Sequence, residues 1–381
     1  MKMKKKLIMI VAGEPSGDLH GANLIRNLKK LDDSLDFIGA GGRRMKQAGL
    51  KGITEMDSLA VVGFKEILGK IGDLKKAFRI LSEMMKSEKP DCFIPIDYPG
   101  FNLRMAQVAK KAGIPVFYYI SPQVWAWGKD RIKKIKRDVD KMFVILPFEE
   151  EFYSQYAVNA EFVGHPLLDI VKPSLEKENA FSHFNLNPEK MLIGILPGSR
   201  WEEIMLSLPI MVDACRIISK EIPDLQFAVL VAENIDAGRI ESLLGKDSNN
   251  FKLIKDKGYD FMNLCDLLLV NSGTATLEIA ILGKPMIIIY KLSLLSWALL
   301  RMLVRIPYFG LVNIIAGKKI VPEFLQFEAT PTRIAKEALN ILRDGNRMKT
   351  IQEGLSEVKT KLGKEAASET AARAILKELE T

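Results

Sequence analysis

The sequence predicts an α/β protein made of two doubly wound, Rossmann-like domains. Short apolar runs alternate with helical segments, the pattern of a parallel sheet covered by helices on both faces. The runs end in polar turns that carry glycine or proline, where open sheets bind ligands. The plan of strand, glycine turn and helix occurs twice, over Leu7–Leu28 and again over Leu192–Ile218. Between the two lies Leu167–Pro188, polar and with two prolines, which reads as a linker. The expected domains are residues 1–170 and 171–363, with a last helix over 364–381 crossing back onto the first.

The first strand is Leu7–Val11, its turn Ala12–Asp18, and its helix His20–Leu31. Phe37-Ile38-Gly39 is the second strand and Phe93–Ile96 the third, the latter followed by Asp97-Tyr98-Pro99-Gly100 and a helix over Asn102–Ala112. Val116–Ile120 leads into Ser121–Trp127, Met142–Leu146 into Pro147-Phe148-Glu149, and Phe162-Val163 into Gly164-His165-Pro166. In the second half, Leu192–Leu196 runs through Pro197-Gly198-Ser199-Arg200 into a helix over Glu202–Glu221. Phe227–Val231 follows, then Leu267–Val270, too short a run for a buried helix. Thr332–Leu342 and Met348–Leu379, rich in Ala, Glu, Lys and Leu, read as terminal helices.

The chain has 381 residues, 48% hydrophobic and 27% charged, enough for two ordinary globular domains. A formal net charge of +8 suits an anionic partner: a phosphorylated substrate, an acidic lipid or nucleic acid. Aromatics are not interleaved with the basic residues as a nucleic-acid platform requires, so no nucleic-acid partner is expected. Cys92, Cys215 and Cys265 sit in apolar segments without metal-like spacing and read as reduced thiols of a cytosolic protein. Three histidines make a His-rich metal site unexpected. Met1–Ala12 mimics a signal peptide, but Glu14 and Asp18 follow at once, so a first strand is expected. The apolar run Leu292–Val304 is broken by Arg301 and flanked by Lys291 and Arg305, and cannot span a bilayer.

The candidate chemistry lies in the turns. Asn271-Ser272-Gly273-Thr274 joins the strand Leu267–Val270 to a helix over Ala275–Ala280. The free N–H groups and positive dipole end of such a helix start suit a phosphate or diphosphate. Glu278, read as about two turns in, is placed to accept hydrogen bonds from ribose hydroxyls. Ser272, Gly273 and Thr274 equally fit an ordinary capped helix start. Gly198-Ser199-Arg200 repeats the geometry and adds a guanidinium; two such turns in one half favour a diphosphate site over two caps. Asp97, at a strand end, is either a general base or the cap of the next helix. His20 is the competing base, or a surface histidine on the first helix. Glu14, Ser16 and Asp18 are polar residues on a first turn that lacks the G-x-G-x-x-G spacing of a dinucleotide site.

Two basic amphipathic stretches remain. Over Val61–Leu81, Phe64, Ile67, Leu68, Ile71, Leu74, Phe78 and Leu81 recur at helical spacing with five cations between them. This is a helix lying on an anionic membrane or one facing its own core. Lys129–Lys141 is a second basic stretch, able to meet phosphate groups or to form a solvated face.

Together these segments resemble the bacterial lipid-A-disaccharide synthase family, inverting glycosyltransferases of the two-Rossmann GT-B type. The resemblance rests on Ala12–Asp18, Ile96–Asn102, Ser121–Trp127, Leu146–Glu149, Gly164-His165-Pro166, Leu196–Arg200, Ser272–Glu278, Asn313 with Ala316-Gly317, and Val321–Gln326. It implies two domains facing a cleft, and transfer of 2,3-diacylglucosamine from its UDP donor to the 6-hydroxyl of 2,3-diacylglucosamine 1-phosphate (lipid X). The products are the β-1,6-linked disaccharide 1-phosphate and UDP. It makes Asp97 the base, Arg200 and the Ser272–Thr274 turn the diphosphate site, and Glu278 the ribose contact. Asn313 and Gln326 fall near the nucleotide, and Glu14 and Ser16 among the substrate contacts. It implies no metal and no other cofactor, because helix dipole and arginine can carry the leaving-group charge. Acylated substrates imply work at the anionic cytosolic face of the inner membrane, which turns Phe64, Ile67, Leu68 and Ile71 towards the membrane. A homodimer is left open. The competing readings are another UDP-sugar enzyme of the same architecture, such as an epimerase acting on UDP-N-acetylglucosamine, and a non-catalytic two-lobed binding protein.

Overall fold

The computed structural model describes residues 5–53, 71–303 and 306–380. Contacts divide the chain into two compact units, Met1–Asp169 with Leu362–Thr381, and Ile170–Lys361.

The first unit is built on seven parallel strands: β1 Leu7–Ala12, β2 Asp36–Ala40, β3 Leu50–Ile53, β4 Cys92–Ile96, β5 Phe117–Tyr119, β6 Lys141–Val144 and β7 Ala160–Phe162. Their order is β3-β2-β1-β4-β5-β6-β7. The central strands are buried along nearly their whole length, as expected for a sheet covered on both faces. One face packs Met9, Val11, Phe93 and Tyr118 against helices that include Ile71–Glu88 and Pro99–Lys111. The other packs Ile8, Ile10, Cys92 and Ile94 against helices Pro15–Leu31 and Ala367–Glu380. That last helix buries Ala371, Ala372 and Ile375 in the same cluster as Leu24 and Leu28. Asp169 fixes its start, accepting from the amides of Ala366, Ala367 and Ser368 at 2.6–3.3 Å. The long helix expected over Met348–Leu379 is therefore two, Gly345–Lys361 and Ala367–Glu380. The break falls at Gly363 (φ +100°), where an added Cβ would come within 3.1 Å of Gly164 Cα.

The second unit has six parallel strands: β8 Met191–Leu196, β9 Leu225–Leu230, β10 Phe251–Ile254, β11 Leu267–Asn271, β12 Met286–Tyr290 and β13 Glu323–Leu325, in the order β10-β9-β8-β11-β12-β13. The stretch read as a linker is largely folded. Helix Lys177–Phe184 buries Ala180, Phe181 and Phe184, the last edge-on to Phe261 at 6.0 Å. Asp260 ties down the turn before it, accepting from the amides of Ser174 and Leu175 at 2.6 Å each. The three cysteines are buried free thiols.

Of the amphipathic stretch Val61–Leu81, residues 61–70, with Phe64, Ile67 and Leu68, lie outside the described residues. From Ile71 onwards it is the helix Ile71–Glu88, and there Leu74, Phe78 and Leu81 pack into the first unit's core. For Leu74, Phe78 and Leu81 the core-facing reading replaces the membrane-facing one, because their side chains are already occupied there; the side chain of Ile71, like Phe64, Ile67 and Leu68, lies outside what is described. Among the described residues no helix is long and apolar enough to cross a membrane.

Candidate active site

Strand order places the candidate residues. In each sheet the order reverses once, between β1 and β4 and between β8 and β11. Ligands of open α/β sheets bind outside the carboxyl ends of the strands at such a switch point. Registers Ala12↔Ile96 and Leu196↔Val270 set Gly13 beside Asp97, and Pro197 beside Asn271. The turns that stood out in the sequence thus lie side by side in pairs, one pair per unit.

In the first unit, Asp97 and Tyr98 both adopt left-handed backbone, with φ of +43° and +48°. Consecutive non-glycine residues rarely do so, and the strain persists only where the surroundings over-determine it. Here the Asp97 carbonyl accepts from Asn102 Nδ2 at 2.8 Å and from Tyr118 Oη at 2.6 Å. Asn102 Nδ2 also approaches the Val11 and Ile96 carbonyls, at 3.3 and 3.0 Å, locking both switch-point strand ends to the helix that follows. Gly13 is obligatory beside them: a Cβ there would stand 2.4 Å from the Tyr98 ring.

The helix Pro99–Lys111 is capped by Tyr98 without a side-chain bond, so capping does not account for the Asp97 carboxylate. Burial raises its pKa to about 6; the charge on Glu14 raises it further, and a bond from the Tyr98 backbone opposes both. His20 is not an exposed histidine. It is half-buried, its Nδ1 has no partner among the described residues, and burial lowers its pKa to about 4. His165 is buried, accepts from the Leu167 amide through Nδ1 at 3.2 Å, and is lowered to about 3, first by burial and then by His20. At neutral pH both imidazoles are weaker bases than Asp97, which favours the carboxylate for proton abstraction. Glu14 and Ser16 are exposed at this edge. Asp18 is structural, accepting from the amides of Arg44 and Met45 at 3.0 Å each.

In the second unit, Gly198, Ser199, Arg200, Ser272, Gly273, Thr274 and Glu278 line one cavity of about 380 Å³. Gly198 takes φ +122°, and a side chain there would meet Glu203 and Asn271 within 3.2 Å. Arg200 caps the 21-residue helix Trp201–Glu221, whose first amides lack intrahelical acceptors. Its side chain is 60% exposed and rests on Glu203 at 3.2 Å, a contact weak enough to be exchanged for an anion. Glu203, raised by burial, also accepts from Asn271 Nδ2 at 3.3 Å. The Ser272 amide is not free, since it donates to the Ile289 carbonyl at 3.0 Å. The helix after it begins at Ala275, so Glu278 lies within its first turn rather than about two turns in. Tyr259 Oη is 3.4 Å from the Glu278 carboxylate, whose pKa burial raises. Trp201, next to Arg200, packs beneath Arg239, whose guanidinium lies 3.8 Å from the ring centre.

Two expected substrate contacts have other work. Asn313 is fully buried, with Nδ2 on the Val321 carbonyl and the Glu323 carboxylate and Oδ1 on the Ile320 and Val321 amides. Glu323 in turn accepts from the Phe309 and Gly310 amides at 3.0 Å each. Gln326 is buried and clamps Leu292, giving to its carbonyl and accepting from its amide, both at 3.0 Å. Both side chains therefore shape loops, because their polar atoms are already taken. Sequence reasoning missed Asn102 and Tyr118 as the clamp on Asp97, and Tyr290, whose pKa is raised by burial and then by the nearby Glu203. The signal for Asn102 was an amide on the buried face of an otherwise apolar helix. Glu149 was marked only as part of a strand-end turn; it is buried, accepts from Trp125 Nε1 at 3.2 Å and is raised to about 7 by burial.

The sequence profile described as lipid-A-disaccharide synthetase matches residues 8–377. The chain belongs to that family. It is accordingly a glycosyltransferase of lipid A biosynthesis. The lipid-A-disaccharide synthase of Geobacter sulfurreducens is 43% identical over 372 residues, covering 98% of this chain and 97% of the relative. That of Syntrophus aciditrophicus is 46% identical over 371 residues, covering 97% of each. Among solved structures, a UDP-GlcNAc 2-epimerase from Neisseria meningitidis bound to UDP-GlcNAc matches with a TM-score of 0.66 at 15% identity, covering 98% of this chain and 99% of the other. A calicheamicin glycosyltransferase matches with a TM-score of 0.66 at 14% identity, covering 99% of both. At such identities the likeness is one of fold, so the epimerase reading gains nothing over the synthase family.

Proposed function

We propose that this chain transfers 2,3-diacylglucosamine from its UDP donor to the 6-hydroxyl of 2,3-diacylglucosamine 1-phosphate, with inversion, and that the two switch-point sites divide the work. The observation that carries the reading is the convergence of Arg200, the Ser272–Thr274 turn and Glu278 on one cavity in a chain of this family. Arg200 and the free amides of the two helix starts hold the diphosphate. Glu278 accepts from ribose hydroxyls. A UDP-sugar in this unit agrees with the UDP-GlcNAc bound by the epimerase of the same fold.

In the first unit Asp97 acts as base. The acceptor hydroxyl oxygen attacks the anomeric carbon while its proton passes to the Asp97 carboxylate. The bond from that carbon to the diphosphate oxygen breaks, and UDP departs with the electron pair. Charge building on the diphosphate oxygens is met by a guanidinium and fixed N–H dipoles, which need no reorganisation during the step. Glu14 keeps the Asp97 pKa high, which strengthens the base. Ser16, exposed on the same edge, is a second acceptor-side contact.

Both substrates carry acyl chains, so the enzyme works peripherally at the cytosolic face of the inner membrane, drawn by its excess of cations. Exposed Lys133, Lys134 and Lys136 belong to that excess, whereas Arg137 is paired with Asp138 and Lys141 with Glu161. The test is Asp97→Ala with both substrates supplied: transfer should vanish while UDP still binds, and unchanged turnover would reject the base assignment.

A further inference from the structure

A large apolar surface of the second unit has no role in the scheme above. Helix Leu294–Leu303 opens with Leu294 and Leu295, 67% and 74% exposed, and Phe327 is 72% exposed. Large apolar side chains so open to water mark an interaction site when they cluster. Gln326 grips both polar backbone atoms of Leu292, so Phe327, the next residue, and Leu294, two residues on from Leu292, leave from one clamped point.

The surface is continuous with the proposed nucleotide pocket. Tyr290 ends β12 one residue beyond Ile289, which pairs with Asn271 of the pocket lining and accepts from the Ser272 amide at 3.0 Å. Its ring lies against Phe309 at 5.9 Å, and Phe309 against Trp297 of the apolar helix at 5.9 Å. An unbroken aromatic row thus leads from the pocket lining to the exposed leucines. Asn313 and Glu323 hold the middle of the row, through the Phe309 and Gly310 amides.

We propose that the face formed by Leu294, Leu295 and Phe327 is the acyl-chain subsite of the donor. Its occupant is a fatty acyl chain covalently part of the nucleotide-linked sugar. Continuity with the pocket decides for this occupant over a bilayer, which would need no such link. The inference rests on the reading of that pocket as a UDP-sugar site. It gives the structural role of Gln326 and Asn313 a purpose: they fix the angle at which the apolar face meets the pocket.

The test uses the full chain with Leu294→Ser/Leu295→Ser and, separately, Phe327→Ser. All three positions are exposed, so the fold is not at stake. UDP binding is measured by calorimetry. Steady-state kinetics are then run with a long-chain diacyl donor and with a donor carrying acetyl groups, both as monomers. The expected result is a rise of about tenfold or more in the half-saturating concentration of the long-chain donor. UDP affinity and kinetics with the acetyl donor should be unchanged. Equal effects on both donors, or no effect on either, would overturn the proposal. So would loss of sedimentation with anionic vesicles while long-chain donor kinetics stay intact, which would make the face a bilayer contact. Failure of the wild-type chain to bind UDP would instead bring down the pocket reading, and this subsite with it.

Discussion

Replacing Asp97 by asparagine should make the protein more stable while abolishing its activity. Burial and Glu14 raise the carboxyl from 3.8 to about 6, so the fold disfavours the charge that the proposed base role needs. Above pH 6 the folded state holds an ionised carboxylate in a site that prefers it protonated. The sign follows: with the folded pKa above the unfolded one, stability is lost as pH rises from about 4 to about 6 and stays lost above. At ~1.36 kcal/mol per pH unit the full effect is about 3 kcal/mol. Asparagine removes the charge but not the Asp97 carbonyl bonds to Asn102 and Tyr118, which are backbone-borne. We expect Asp97→Asn to gain about 1–3 kcal/mol at pH 8, the lower figure allowing for the weaker bond that an amide oxygen accepts from the Tyr98 backbone. That is several degrees in Tm for a unit of this size. The assay is thermal unfolding of both proteins from pH 4 to pH 8. The gain should shrink to nothing near pH 4, where both side chains are neutral. A variant no more stable at pH 8, or a difference independent of pH, would refute the claim that the fold strains this carboxylate.

Four further outcomes follow from the same geometry. With saturating UDP donor, the acid limb of kcat/KM should fall tenfold per pH unit below about pH 6, and Glu14→Gln should move that limb to lower pH; a limb near pH 4 in the wild type would contradict the raised Asp97 pKa. Arg200→Met should weaken UDP binding by roughly tenfold to a hundredfold, the worth of one charge-assisted contact, with little change in unfolding, since the side chain is exposed. Asn313→Leu should cost about 2–4 kcal/mol by chemical denaturation, because it strips partners from Glu323 and from the amides of Ile320 and Val321. Gly13→Val should cut turnover severely while UDP affinity holds, since its side chain must displace the Tyr98 ring next to Asp97.

The parts of this molecule that the sequence made legible were those set by local pattern. Apolar runs such as Leu267–Val270 are strands because a buried parallel strand must be apolar on both faces, and the turns after them were found as glycine-rich polar breaks. Ser272–Thr274 and Arg200 could be paired because both follow strands and precede helices. Strand order was not legible, since it depends on long-range pairing, and it is strand order that places Gly13 beside Asp97. Asn313 and Gln326 were expected near the nucleotide from the family resemblance alone, and whether a side-chain amide faces a ligand or a neighbouring backbone is decided by packing, which here engages both with backbone. His20 was read as a surface histidine because it lies inside the first helix, whereas it is half-buried near His165. The linker reading failed because short polar stretches with two aromatics, Phe181 and Phe184, carry too little periodicity to reveal a packed helix.

The most direct measurement is mass spectrometry of the products formed by the purified chain from the UDP-diacyl donor and lipid X. The account predicts one new glycolipid, a tetra-acylated disaccharide monophosphate, together with equimolar UDP. Release of UDP without the disaccharide, or formation of an epimerised nucleotide sugar when lipid X is withheld, would contradict it.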